Sequence, residues 1–80
     1  MPTGKIDFAP HARYRMRRRL ISEDEVLLVI QGGIRSPEAA DAAASPRFSY
    51  RGFVGGRSIK VVTAMEEHRI LVLTVIDESR

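Results

Sequence analysis

Apolar residues recur at helical spacing near the start of the chain. At about 100° per residue, four of them share one arc: Ala9, Ala12, Met16 and Leu20. Pro10 suits the first turn of a helix, and no helix-breaking residue follows before Arg19. We therefore predict a first helix over residues 9–19, with the apolar arc facing the core.

The following segment has the pattern of a helix start and then of a buried helix. Ser22 and Glu25 stand three residues apart, as in a capping box, where each side chain bonds the backbone N–H of the other residue. Residues 26–30 are apolar on every side, and a pair of glycines that can end a helix follows soon after. A second, mostly buried helix is therefore predicted over residues 23–31.

Beyond residue 47 the apolar pattern changes from helical to strand-like. Three segments rich in Val, Ile, Phe and Tyr are predicted to be strands: residues 48–54, 57–65 and 69–76. Gly55-Gly56 favours a tight hairpin turn, and a short polar connection precedes the last strand, so neighbouring strands should be antiparallel. Residues 34–47 hold no large apolar residue after Ile34 and are predicted to form a loop.

Together these elements predict the fold class α+β. Two N-terminal helices would pack on a small antiparallel sheet of three to four strands. A chain of 80 residues has room for one core, so a single domain over residues 1–80 is expected.

The charge is concentrated in the first helix. The chain has a net charge of +3, but residues 11–19 carry five arginines and no acidic residue, so the remainder sums to −2 (3 − 5). Arginine also dominates the basic residues of the whole chain, and its planar guanidinium suits bidentate contact with phosphate. The pattern favours RNA or another polyanion as a partner.

Several classes of function are disfavoured. The chain has no cysteine, which excludes disulfides and thiolate chemistry and fits a cytoplasmic location. No apolar segment is long enough to cross a bilayer, so no membrane partner is expected. His68 beside Glu66 and Glu67 lacks clear metal-ligand spacing, and no phosphate-binding glycine loop precedes a helix. We predict no metal and no other cofactor.

Helical spacing limits the candidate site to one edge of the first helix. His11, Arg15 and Arg18 lie on the arc beside the apolar stripe, with Arg19 at its border. Because His11 and Arg15 are one turn apart, the guanidinium can neutralise a phosphate while the imidazole moves a proton. Alternatively, His11 orients the helix start and the arginines pair with nearby acids. Those acids would be Glu23, Asp24, Glu25 or Asp77.

Three further residues are candidates for contact with nucleic acid. Tyr14 can stack on an exposed base or simply fill the helix edge. Lys60 alternates with Ile59 and Val61, so it joins the first helix in a cleft only if its face of the sheet meets that helix. Arg57 flanks the glycine turn and either binds phosphate or is a solvated hairpin arginine.

The order of these residues resembles the domain-of-unknown-function family 4258. Its motifs are matched by His11-Ala12, Arg15-Met16, Arg19, Ile21-Ser22, Glu25-Val26, Tyr50-Arg51, Gly56-Arg57, Lys60-Val61-Val62 and Leu73-Thr74-Val75. The chain departs from the family at Leu20, where a glycine is favoured. The family's layout is similar to that of the RelE, ParE and BrnT toxins, which implies ribonuclease or gyrase-directed activity and a basic cleft that includes Lys60.

Two functions remain open from the sequence. The first is a small toxin-like RNA-binding domain, with or without metal-independent ribonuclease activity. Its catalytic residues would be His11 and Arg15, and its nucleic-acid-binding residues Arg15, Arg18, Arg19, Tyr14, Lys60 and Arg57. The second is a non-catalytic interaction module whose basic helix docks an acidic protein, such as an antitoxin, or DNA.

Overall fold

The computed structural model describes residues 5–38 and 45–79 of the chain. Its elements in chain order are β1 (Lys5–Phe8), α1 (Pro10–Arg19), α2 (Glu23–Gly32), β2 (Ile34–Glu38), β3 (Arg47–Val54), β4 (Arg57–Met65) and β5 (Arg69–Asp77). The strands form one mixed sheet in the order β1-β5-β4-β3-β2. The fold class is α+β, as predicted.

The three strands predicted from apolar pattern are present and are antiparallel neighbours. In the register of the sheet, Tyr50 of β3 faces Val61 of β4, which in turn faces Val75 of β5. Gly55 and Gly56 have φ values of +61° and +78°, which confirms the tight turn between β3 and β4. The predicted core of the sheet is therefore confirmed.

The predicted loop over residues 34–47 is wrong in its first part. Residues 34–38 form β2, which pairs antiparallel with β3 from Ile34 opposite Arg51 to Glu38 opposite Arg47. This edge strand escapes prediction because its pairing rests on backbone hydrogen bonds, and its polar sequence has no strand-like apolar alternation. Residues 39–44 of the predicted loop lie outside the described part of the chain.

β1 also escapes prediction, so the sheet has five strands instead of three to four and is mixed rather than antiparallel. β1 precedes both helices and runs parallel to β5, with Ile6 opposite Ile70 and Phe8 opposite Val72. The helices are therefore inserted after a first strand instead of opening the fold. A strand of four residues is too short for an alternation of apolar and polar positions to be recognised in the sequence.

Helix α1 is anchored to the sheet from its first turn. Pro10 occupies that turn, and the N–H of Ala9 donates to the carbonyl of Val72 at 2.9 Å. Ala12 and Met16 are buried and face the core, as their spacing predicts. The helix packs on β5.

The prediction that Leu20 joins this buried arc is wrong. The helix ends at Arg19, and Leu20 has left-handed backbone angles of φ 56° and ψ 46°. The change of backbone direction turns its side chain away from the arc, and 83% of the residue is exposed. Helical periodicity applies only as far as the helical backbone continues.

Helix α2 has the predicted capping box. The Ser22 hydroxyl accepts the N–H of Glu25 at 3.1 Å, and Glu25 Oε1 accepts the N–H of Ser22 at 2.9 Å. Val26 and Val29 are fully or almost fully buried against β3 and β4. Leu28 is 54% exposed, so α2 buries one side and the prediction of a mostly buried helix is wrong. Both helices thus cover the same face of the sheet.

The core lies between the helices and that face of the sheet. Its buried members are Ala12, Met16, Ile21, Val26, Val29, Tyr50, Ile59, Val61, Val72 and Val75. Ile59 and Val61 of β4 point toward the helices, so Lys60 between them lies on the opposite face. The two faces of the sheet therefore present different side chains, which decides the extent of the candidate site.

Candidate nucleic-acid interface

Five of the predicted site residues line one groove along α1. They are His11, Tyr14, Arg15, Arg18 and Arg19, and the groove has a volume of about 270 Å³. Their spacing places them on one side of the helix, one or two turns apart. The predicted edge of the helix is therefore a continuous concave surface, which we call the arginine groove.

Tyr14 is held in place inside the arginine groove by the next turn. Arg18 Nη1 donates to Tyr14 Oη at 2.9 Å, and the Arg18 guanidinium carbon lies 5.7 Å from the ring centroid. Tyr14 is 48% exposed. The pair presents a flat aromatic surface beside a cation, which suits stacking with a nucleobase.

The arginines of the arginine groove form no ion pair with the described residues. Within residues 5–38 and 45–79, no carboxylate lies within 4.0 Å of Arg15, Arg18 or Arg19. On α1 the alternative of ion pairing holds for Arg13, whose Nη1 contacts Glu23 at 2.6 Å. Three guanidinium groups on one face thus lack a neutralising carboxylate from the described chain.

Arg19 nevertheless influences a carboxylate on the sheet. The pKa of Asp77 lies below its ordinary value, mainly because the side chain and backbone N–H of Ser79 donate to it. The positive charges of Arg57 and Arg19 lower this pKa further. The Arg19 end of the arginine groove is therefore near an acid without forming an ion pair with it.

His11 lies at the opposite end of the arginine groove, in the first turn of α1. Its ring is exposed, and no described side chain or backbone group hydrogen-bonds to it. Arg15 follows one turn later on the same face. The structure thus places both side chains in the arginine groove.

Arg57 contacts the end of α1 instead of lining the arginine groove. Its Nη1 donates to the Arg19 carbonyl at 2.6 Å, and Nη2 donates to the Leu20 carbonyl at 3.0 Å. The same guanidinium lies 3.2 Å from the Glu25 carboxylate. Its donors are used within the fold, so Arg57 positions the arginine groove and does not extend it.

Glu25 completes this contact, which we call the Arg57 junction. The pKa of Glu25 is lowered, first by the Ser22 N–H bonded to its carboxylate and then by the charge and hydrogen bond of Arg57. The sequence identified Glu25 as a capping residue, but no local spacing relates it to a residue 32 positions away.

Lys60 lies outside the arginine groove. Its Nζ is 3.5 Å from Glu38 Oε2, on the face of the sheet that points away from both helices. The cleft that the toxin resemblance implied, with Lys60 beside the first helix, is therefore not formed. Alternation along β4 sends Ile59 and Val61 into the core and Lys60 to the other side.

The family relationship rests on nearly the whole chain. Residues 8–77 match the family described as Domain of unknown function (DUF4258). The chain belongs to this family. The arginine groove and the Arg57 junction of this DUF4258 domain both lie inside the matched range. No match was found among curated proteins or among solved structures.

Neither metal-binding clusters nor membrane helices occur in the parts of the DUF4258 domain that the structure describes. No group of three or more histidines and acids is close enough there to hold a metal ion. His68 and Glu67 approach only to 4.0 Å, and both side chains are almost fully exposed. Among the described helices, none is long and apolar enough to cross a membrane.

Proposed function

We propose that this DUF4258 domain binds single-stranded RNA through the arginine groove. The supporting observation is that Arg15, Arg18 and Arg19 line one concave face without a carboxylate partner among the described residues. Guanidinium groups bind phosphate oxygens in bidentate geometry, and each contact releases counterions from the nucleic acid. Phosphate groups would supply the negative charge that this face lacks.

Tyr14 supports single-stranded over double-stranded nucleic acid. Bases in a duplex are stacked and cannot reach an aromatic side chain on a protein surface, whereas unpaired bases can. Tyr14 is half exposed and its hydroxyl is fixed by Arg18. An unpaired base that turns away from its neighbours in the strand would stack on the Tyr14 ring, whose orientation is already set.

Binding is tested with a fluorescently labelled single-stranded RNA and two double variants of equal charge. Arg15→Met/Arg18→Met removes two cations of the arginine groove, and Arg13→Met/Arg17→Met removes two from the other edge of the helix. We expect the first variant to lose affinity at least about tenfold, equivalent to about 1.4 kcal/mol, and the second to lose much less.

The outcomes separate the proposal from its rivals. Equal losses in both variants would show attraction by bulk charge rather than by a groove. Tighter binding of duplex DNA than of the RNA would contradict the assignment to single strands. Absence of RNA binding, together with tight binding of an acidic protein, would favour an interaction module instead.

RNA cleavage is a separate extension of the proposal. His11 would take the proton of a 2′-hydroxyl as its oxygen attacks the adjacent phosphorus, and Arg15 would stabilise the charge on the phosphate. The bond from phosphorus to the 5′-oxygen then breaks, the protonated His11 returns the proton to that oxygen, and a 2′,3′-cyclic phosphate remains. Expression in a bacterial host should then degrade RNA with the unmodified chain and spare it with His11→Ala. His68→Ala changes an exposed turn histidine and is the matched control. Intact RNA with the unmodified chain would refute cleavage and leave binding unaffected.

A further inference from the structure

A second groove lies where α1 passes into α2, on the other side of the helix from the arginine groove. Its volume is about 490 Å³. The residues that matter for its chemistry are Arg13, Met16, Arg17, Leu20, Ile21 and Glu23. Met16 and Ile21 are buried and form an apolar floor. We call this surface the corner groove.

Leu20 is unusual in both its backbone and its exposure. Its φ of 56° lies in the left-handed region, where an L-residue is strained and where glycine usually ends a helix. At the same time 83% of the residue is exposed beside the corner groove. A glycine would end the helix with less strain and without an exposed apolar side chain. Contact with another molecule would account for both features.

Hydrogen bonds hold the backbone at Leu20 and so fix the direction in which the side chain leaves it. The N–H of Leu20 bonds to the Arg17 carbonyl at 3.4 Å, and the N–H of Ile21 bonds to the Met16 carbonyl at 2.9 Å. The Leu20 carbonyl accepts a hydrogen bond from Arg57. Because this backbone is preorganised, binding at Leu20 would not have to order it.

The charged side chains at the rim of the corner groove favour an occupant of one charge. Arg17 is exposed, and within the described residues no carboxylate lies within 4.0 Å of it. Arg13 is already engaged, with Glu23 at 2.6 Å and with the ring of Phe8 at 5.0 Å. A bound molecule would therefore contact the apolar floor of the groove, the exposed Leu20 side chain and one available cation, Arg17.

We propose that the corner groove docks an acidic amphipathic segment of another protein. An apolar side chain of that segment would enter beside Leu20 and Met16, and a carboxylate would pair with Arg17. A second copy of this chain fits less well, because its net charge is +3 and Arg17, the available charge at the groove, is also positive. The proposal is independent of RNA binding, which uses the opposite edge of α1.

The test selects peptides from a random phage-displayed library on the unmodified 80-residue chain. Enriched peptides should combine apolar and acidic residues, and synthetic copies should bind Leu20→Gly and Arg17→Met at least about tenfold more weakly. Leu20→Gly relieves the left-handed strain, so its thermal midpoint should be equal or higher and misfolding cannot explain the loss. Arg15→Met should retain the peptide, because Arg15 lines the arginine groove.

Three results would overturn the proposal. The first is enrichment of peptides without acidic residues. The second is equal affinity of the selected peptides for the unmodified chain and for Leu20→Gly. The third is a dimer of the unmodified chain in sedimentation that Leu20→Gly dissociates, since a second copy would then occupy the corner groove.

Discussion

The Arg57 junction and the arginine groove both contain arginine, but the guanidinium groups of the two regions have different partners. At the junction, Arg57 donates to two backbone carbonyls and to Glu25. In the groove, Arg15 and Arg19 have no carboxylate within 4.0 Å among the described residues, and Arg18 contacts a tyrosine. The same side chain is therefore structural in one region and available in the other.

Available hydrogen-bond donors distinguish the two regions better than net charge does. A guanidinium with carbonyl and carboxylate partners stabilises the fold and has few donors left for a ligand. A guanidinium on an exposed face adds little to stability but can bind an anion. Mutations at the junction should change folding, and mutations in the groove should change binding.

The largest expected effect is the loss of the Arg57 junction. Arg57→Met removes charge-assisted hydrogen bonds to two carbonyls and to a half-buried carboxylate, so the free energy of unfolding should fall by about 2–3 kcal/mol. Chemical denaturation measures it. Arg51→Met, which breaks the exposed pair of Arg51 with Glu78, should cost no more than about 1 kcal/mol. If Arg57→Met and Arg51→Met lowered the free energy of unfolding equally, the Arg57 junction would be no more stabilising than an exposed ion pair.

A second effect should appear in the salt dependence of RNA binding. For a single strand, the slope of log Kobs against log salt falls by about 0.7 per phosphate contact. Arg15→Met should make this negative slope less steep by roughly that amount, whereas Arg13→Met should leave it nearly unchanged because Arg13 is paired with Glu23. A slope that changes equally in both variants would contradict a localised site.

The tight turn offers a smaller, geometric perturbation of the Arg57 junction. Gly55→Ala and Gly56→Ala each place a side chain at positive φ, which costs about 1 kcal/mol. A Cβ on Gly55 would also lie 2.7 Å from Glu25 Oε2, whereas the space at Gly56 is open. Gly55→Ala should therefore be the more destabilising variant in thermal unfolding, and Glu25→Ala should abolish the difference between them.

The smallest effect is a pH dependence of the Arg57 junction. The folded pKa of Glu25 lies below its ordinary value of 4.5, so its stabilisation is complete above 4.5 and is lost as the pH falls through the folded pKa. In denaturation series over this acidic range, the free energy of unfolding should fall more steeply with decreasing pH for the unmodified chain than for Glu25→Gln. Asp24→Asn, in the same exposed first turn, should keep the steep slope.

Much of the arginine groove could be predicted because its members lie within nine residues of one another. Their positions follow from helical spacing once the bounds of α1 are known. Leu20 was misplaced because it lies one residue past the helix, where periodicity no longer applies. Lys60 depended on which face of the sheet the helices cover, and the alternation of β4 alone leaves that choice open.

The sequence by itself determined the helices, the tight turn, the three central strands and the edge of α1 that carries the arginines. These features depend on contacts between residues close in the chain, which spacing and capping patterns encode. Only the tertiary structure decided the pairing of β1 and β2, the face on which Lys60 lies and the contacts of Arg57. Backbone pairing is open to any strand, and the carbonyls that Arg57 contacts are 37 and 38 residues away in the chain. Long-range partners of this kind separate the structural arginine from the arginines proposed to bind RNA.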